Sequence, residues 1–324
     1  MGNNIACLFP GQGSQSVGMG HELAKQFEES RKQFEAIDAI AGRSLSQLCF
    51  EGPEEELKRT INTQPTILTA SLAAWAAYKA AGGPAPGFVA GHSLGEFTAL
   101  VAADVLTVEE SVRLVEKRAQ LMESCPKGAM SAVLGVQAKV LEQCCADAHA
   151  DLKAAGKNDT ESVVIVANFN TRDQLVISGN PEAVAKAGEK AKAAGGKVIP
   201  LPVGGAFHSP LMASASLDFA KEIEKANFKN ASCEVVQNFD ALPSTDGSEI
   251  KTKLGRQMES AVRWYETIEY MMRQGVDVFI EIGPGRVLAG TVKKLNRAAV
   301  ILNVSDPTNL QQSLNELKIS PGYR

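Results

Sequence analysis

Nowhere in the 324 residues does an apolar run reach the roughly 18 residues that a membrane-spanning helix needs, so no membrane partner is expected. Excess basic charge is missing as well. Lys and Arg number 33 against 37 Asp and Glu, a formal net charge of −4, and no broad cationic face invites nucleic acid. An acidic partner would have to be met by a local basic patch. The six cysteines, at positions 7, 49, 125, 144, 145 and 233, form no Cys-x-x-Cys pair. That spacing argues against a disulfide framework or a zinc site and suits a reducing compartment. His21, His92, His149 and His208 are too scattered to spell a metal-binding helix. The stretch Met1 to Phe9 lacks the basic flank of a signal peptide. Gly2 is followed at position 6 by Ala, where a myristoylation signal has Ser or Thr. A cytoplasmic protein is the expectation. There is no internal repeat and no low-complexity segment. With 44% hydrophobic and 22% charged residues, the chain has a globular balance and enough length for two domains.

What the sequence does contain is organised around Phe88 to Leu100. A short apolar run, Phe88 to Ala90, meets Gly91-His-Ser-Leu-Gly95, and a helix-forming run from Glu96 to Val105 follows. Gly-x-Ser-x-Gly between a strand and a helix is the nucleophile elbow. The turn is tight enough to exclude side chains at the glycines. It lifts Ser93 above the sheet, and the free N–H groups of the new helix face any developing oxyanion.

Along the chain, Asn4 to Phe9 reads as a buried parallel strand. It empties into Pro10-Gly-Gln-Gly-Ser-Gln15, which is neither a dinucleotide fingerprint nor a P-loop, since no Lys follows Gly18. Helices are expected over 22–41, from Pro65 through Tyr78, and over 109–123. The last carries Arg113, Lys117 and Arg118, and such a basic set is ordinarily a solvated face. From Gly128 the pattern becomes β-α-β-β-α-β: strands at 129–135, 161–167, 174–178 and 197–201, and helices at 138–155 and from Asn180-Pro181 to Gly195-Gly196. The turn-prone stretch between the middle strands is 168–173. That order is ferredoxin-like and gives an inserted small domain at 127–199. Residues 1–126 and 200–324 then form an α/β-hydrolase-like core with a mostly parallel sheet. Beyond the insertion, the pattern predicts a helix at 211–227, a strand at 233–237, a mostly helical stretch at 254–274, a strand at 276–282 and a further helix. The Gly283-Pro-Gly285 turn is read as a strand-to-helix connector, and the tail after Ile319 as frayed.

A serine nucleophile needs a base, usually His. His208 is the best candidate, in a Gly-rich loop after an expected strand at 198–203. His92 adjoins Ser93 and would point elsewhere; His21 and His149 lie in charged helices. No third carboxylate is obvious. Asp240 is possible in chain order, but a backbone carbonyl can fix the tautomer equally well.

Phe9-Pro-Gly-Gln-Gly-Ser-Gln15, Gly91-His-Ser-Leu-Gly-Glu96, Ala206-Phe-His-Ser209, Val262-Arg-Trp264 and Glu281-Ile-Gly-Pro-Gly285 stand in one order. Together they resemble the malonyl-CoA:acyl carrier protein transacylases of type II fatty acid synthesis over nearly the whole chain. The resemblance implies Ser93 as nucleophile and His208 as its base. It implies backbone N–H groups of Gln12 and Leu94 as the oxyanion hole, and Arg118 as the clamp on the malonyl carboxylate. It also implies a Gln257 main-chain carbonyl that orients His208, substrate contacts from His92 and Phe207, and no metal or redox cofactor. Malonyl-CoA and acyl carrier protein would be the partners of a monomer. Phe97 and Phe169 stand where Tyr is common, and Ala261 replaces a usual proline. Supply of a polyketide synthase, a serine thioesterase or other hydrolase, and a non-catalytic carrier-protein scaffold remain the alternatives.

Overall fold

Ile5–Phe9 is apolar throughout and wholly buried, as a strand covered on both faces must be. The computed structural model describes residues 4–319; Gly2 and the tail beyond Ile319 lie outside them. In chain order the strands are β1 (Ile5–Phe9), β2 (Phe88–Gly91), β3 (Ala129–Leu134), β4 (Val164–Thr171), β5 (Gln174–Gly179), β6 (Lys197–Pro200), β7 (Glu234–Val236), β8 (Pro243–Ser244), β9 (Val278–Ile282) and β10 (Val300–Val304). One sheet has the order β10-β9-β1-β2-β7-β8. Its strands are parallel except for the edge strand β8. The other sheet, β4-β5-β3-β6, is antiparallel. The fold is therefore mixed α/β, with a mostly parallel sheet and a smaller antiparallel one.

The helix Thr60–Ala80 is buried along nearly its whole length against the main core. It begins five residues before Pro65, the expected start. Proline inside a helix leaves the carbonyl four residues back without its donor. Here that carbonyl is Ile61, and Arg43 Nη2 donates to it at 3.2 Å. The expected single helix at 22–41 is two, His21–Gln26 and Glu28–Ala41. They break at Phe27, whose extended backbone carries the ring against the core. Two short helices, Leu45–Glu51 and Glu54–Leu57, fill a stretch where the sequence pattern signals nothing.

The expected helical stretch at 254–274 is also interrupted. A helix ends at Gly255, a 3₁₀ turn covers Gln257–Glu259, and a new helix runs Trp264–Arg273. Between them Val262 pairs with β4, exchanging backbone bonds with Ala167 (2.8 Å) and Phe169 (2.9 Å). Pairing with β5 carries β4 to Thr171, past the expected strand end, and leaves a turn shorter than the expected 168–173. Asn180 caps the helix Pro181–Ala193 through its side chain, as the Asn-Pro start predicts. No helix among the described residues is long and apolar enough to cross a membrane.

Candidate active site

At the elbow, β2 ends at Gly91 and the next helix begins at Gly95. A side chain at Gly91 would strike the Gly95 carbonyl carbon at 1.9 Å, and one at Gly95 would strike the Phe9 carbonyl oxygen at 2.0 Å. The turn is thus pressed both onto itself and onto the end of β1. The His92 N–H donates to the Phe9 carbonyl (3.0 Å), continuing the ladder to the edge of the turn. Ser93 is left at φ +51°, a left-handed conformation that a non-glycine residue holds only when its surroundings enforce it.

Asn238, just past β7, does the enforcing. Its Oδ1 accepts from the Ser93 N–H at 2.6 Å, and its Nδ2 donates to the Gly91 carbonyl at 2.7 Å. No sequence motif singles it out. Its place at the carboxyl end of a parallel-sheet strand, where ligand sites gather, was the available signal.

Ser93 Oγ lies 2.7 Å from His208 Nε2. His208 Nδ1 faces two acceptors, the carbonyls of Gln257 (3.0 Å) and Ser260 (3.1 Å). The hydrogen therefore belongs on Nδ1, leaving Nε2 to accept the serine proton, an assignment that follows from the bonding network. His208 lies in a loop, as expected, but the strand expected before it at 198–203 is shorter. β6 stops at Pro200 in the antiparallel sheet, and a strandless linker brings the imidazole back at φ +58°. The His208 backbone N–H donates to the Met258 carbonyl at 3.1 Å. Asp240 takes no part at the imidazole; its carboxylate pairs with Lys253 at 2.9 Å.

Of the basic residues on the helix Val108–Glu123, Arg113 is exposed and paired with Glu109, while Arg118 is buried at 1% exposure. Their spacing on the helix separates them: the amphipathic helix turns Arg118 with Leu114 and Val115 into the core. Its Nη1 donates to Gln64 Oε1 (2.6 Å), and its Nη2 to Gln257 Oε1 and Ser93 Oγ (3.0 Å each). The guanidinium lies over the Phe97 ring at 5.7 Å. Gln64, next to Pro65, was not legible as a partner. Burial lowers the Arg118 pKa to about 10, still charged at neutral pH.

The remaining residues cluster at the rim. Gln12 is exposed on the loop after β1, whose Gly11 rests against the His92 carbonyl. Leu94, buried, caps the elbow helix, so its N–H is among those without an intrahelical partner. His92 Nε2 bonds Asn170 Oδ1 at 2.8 Å, and the ring meets Trp264 edge-on. Phe207 is buried, its ring against Gly205. Among the described residues no group of three or more His, Cys, Asp or Glu could hold a metal ion. The arrangement equips a serine with a base and a buried cation: chemistry for acyl transfer from a carboxylate-bearing donor.

Residues 7–308 match the acyl transferase domain family. The chain is 42% identical to the malonyl CoA-acyl carrier protein transacylase of Bacillus subtilis, over 98% of each protein. It belongs to that transacylase family. The solved acyl-carrier-protein S-malonyltransferase of Burkholderia pseudomallei is 39% identical, with a TM-score of 0.91 over 96% of this chain and 99% of its own. A malonyl-transacylase solved in complex with a type II polyketide synthase acyl-carrier protein is 38% identical, with a TM-score of 0.90 over 97% and 99%.

In this transacylase, burial and the Arg118 charge lower the His208 pKa to about 3, so the imidazole is neutral throughout the physiological range. The linkage follows directly. An unfolded histidine binds its proton near pH 6.5 and the folded one near 3, so stability is intact above about 6.5 and falls with acid by up to about 1.4 kcal/mol per pH unit. Thermal melts from pH 7.5 to 5.5 should therefore fall more steeply for wild type than for His208→Gln. Equal slopes would mean that another group titrates.

Proposed function

We propose that the protein transfers the malonyl group of malonyl-CoA to the phosphopantetheine thiol of acyl carrier protein, through an ester on Ser93. The carrying observation is the Ser93–His208 pair, at 2.7 Å, with a buried guanidinium on the same hydroxyl. The names of the relatives, with their malonyl and carrier-protein substrates, support the reading. Ser93 Oγ attacks the thioester carbonyl carbon while His208 Nε2 takes its proton. The oxyanion accepts from the N–H groups of Gln12 and Leu94, donors of a kind worth about 3 kcal/mol each. As the C–S bond breaks, imidazolium protonates the departing thiolate. The carrier thiol then gives its proton to His208, attacks the ester, and returns Ser93 to its hydroxyl.

Arg118 suits the malonyl carboxylate because its planar fork donates two parallel hydrogen bonds. The Gln257 and Ser260 carbonyls do the orienting that an acid does elsewhere. His92 and Phe207 line the acyl end, the bulk of Phe207 disfavouring a 2-substituted donor. We read the parallel sheet and elbow as an α/β-hydrolase-like core over residues 1–126 and 200–324. The β4-β5-β3-β6 order supports a ferredoxin-like insertion at 127–199. The enzyme acts without metal or redox cofactor, as a cytoplasmic monomer with no nucleic-acid or membrane partner. Provision of a polyketide synthase is the second reading, favoured by the structural likeness to a transacylase bound to such a carrier.

The test is intact mass after brief exposure to malonyl-CoA without acceptor. Wild type gains one malonyl group that added holo carrier protein removes, and Ser93→Ala gains none. Free malonate accumulating with no adduct would make the protein a hydrolase instead.

A further inference from the structure

One buried acid has no part in this mechanism. Glu96, in the first turn of the elbow helix, is 1% exposed, and no basic side chain among the described residues forms an ion pair with it. Its Oε1 accepts from Gln237 Nε2 (3.0 Å). Its Oε2 accepts from the Asn238 N–H (3.0 Å) and from Gln257 Nε2 (3.1 Å). A buried carboxylate is retained at a cost, and three converging donors are what make that cost bearable.

The arrangement is directional. Gln257 Nε2 faces two acceptors, Glu96 Oε2 and the Ser93 carbonyl (2.9 Å); Gln257 Oε1 faces a donor, Arg118 Nη2. If the amide turned over, its oxygen would oppose two oxygens and its NH2 would oppose the guanidinium. An ionised Glu96 offers no donor, so it selects one of the two amide orientations, and that orientation gives Arg118 an acceptor. The same Gln257 holds His208 through its main-chain carbonyl.

We propose that Glu96 is a positioning residue that fixes the side-chain amide of Gln257 and, through it, the Arg118 guanidinium against the acyl group carried on Ser93. The proposal rests on the reading of Arg118 as the carboxylate clamp. It assigns Glu96 to selectivity: a neutral acyl group does not use the guanidinium, whereas a malonyl group depends on its aim.

The test is a double-mutant cycle, with kcat/KM measured for malonyl-CoA and acetyl-CoA. Glu96→Gln removes the charge at nearly constant volume. Gln257→Met removes the amide and leaves the carbonyl that holds His208. Each single variant should lower the malonyl-to-acetyl ratio about tenfold, and the double variant should lower it little further, because both act on one link. Parallel losses for the two donors, or selectivity losses that multiply in the double variant, would mean that Glu96 only supports the elbow and would overturn the proposal. If Glu96→Gln does not fold, Gln257→Met decides alone: an unchanged ratio overturns it. Arg118→Ala keeps the two readings apart. If that variant retains the wild-type ratio, the clamp itself is wrong; if it loses the ratio while Gln257→Met does not, only the Glu96 link is wrong.

Discussion

Malonyl transfer by His208→Ala falls by about four orders of magnitude, transfer by Ser93→Ala falls at least as far, and the double variant is no worse than the poorer single one. The reason is geometric. The hydroxyl and Nε2 share one proton at 2.7 Å, so neither has a function at the acyl carbon without the other. On the proposed mechanism the residual rate comes from groups that survive both changes, the proposed backbone donors of Gln12 and Leu94 and the binding of substrate. Circular dichroism melts must accompany the kinetics, because His208 is buried and its imidazole Nδ1 bonds the Gln257 and Ser260 carbonyls. Losses that multiplied in the double variant would show two residues acting independently and would sink the dyad.

The second large effect belongs to Arg118. Truncating one member of a buried, hydrogen-bonded charge pair costs roughly 2–5 kcal/mol, so Arg118→Ala should lower kcat/KM for malonyl-CoA by about thirtyfold to a few thousandfold. Acetyl-CoA should move the other way or hold steady. With no carboxylate to meet, the guanidinium serves that donor badly: its Nη2 donates to the Ser93 hydroxyl, and its charge holds the His208 pKa down. Removing it frees the nucleophile's lone pair and raises the basicity of its partner. Steady-state kinetics with both thioesters decide the matter, and equal losses would mean that Arg118 only fills space. The Arg118 Nε, buried and without a hydrogen-bond partner among the described residues, leaves the guanidinium donor capacity for a ligand.

Features that depend on neighbours in sequence were readable without coordinates. Gly91, Ser93 and Gly95 announce a tight turn because the clash that excludes a side chain at Gly91, against Gly95, lies within five residues of chain; the press of Gly95 on the Phe9 carbonyl is a distant contact that the spacing does not show. Asn180-Pro181 announces a helix start by the same local logic. What escaped was decided by distant partners. Pro65 sits inside a helix because Arg43 meets the orphaned Ile61 carbonyl. The helical stretch around Gln257 is broken because Val262 pairs with β4. Arg118 looked like one of a solvated basic set, and only the packing of its helix turns it inward. Asn238 and Gln64 stand in no motif, and Glu96, though it closes the Gly91-His-Ser-Leu-Gly-Glu96 motif, gives no sign there of the network it joins. The resemblance named the proposed reacting groups but not the buried polar frame around them.

The wide spacing of the site along the chain has a consequence for how the enzyme comes into being. Ser93 meets His208 across 115 residues and Gln257 across 164. Such contacts must wait until the intervening loops have closed, and their entropy is spent before the contacts repay it. Neither the elbow nor the imidazole loop, formed early and alone, could act on a thioester. A nascent or collapsed chain is therefore chemically silent. The enzyme becomes reactive only when its most distant segments have closed, so activity marks the completion of folding rather than its progress.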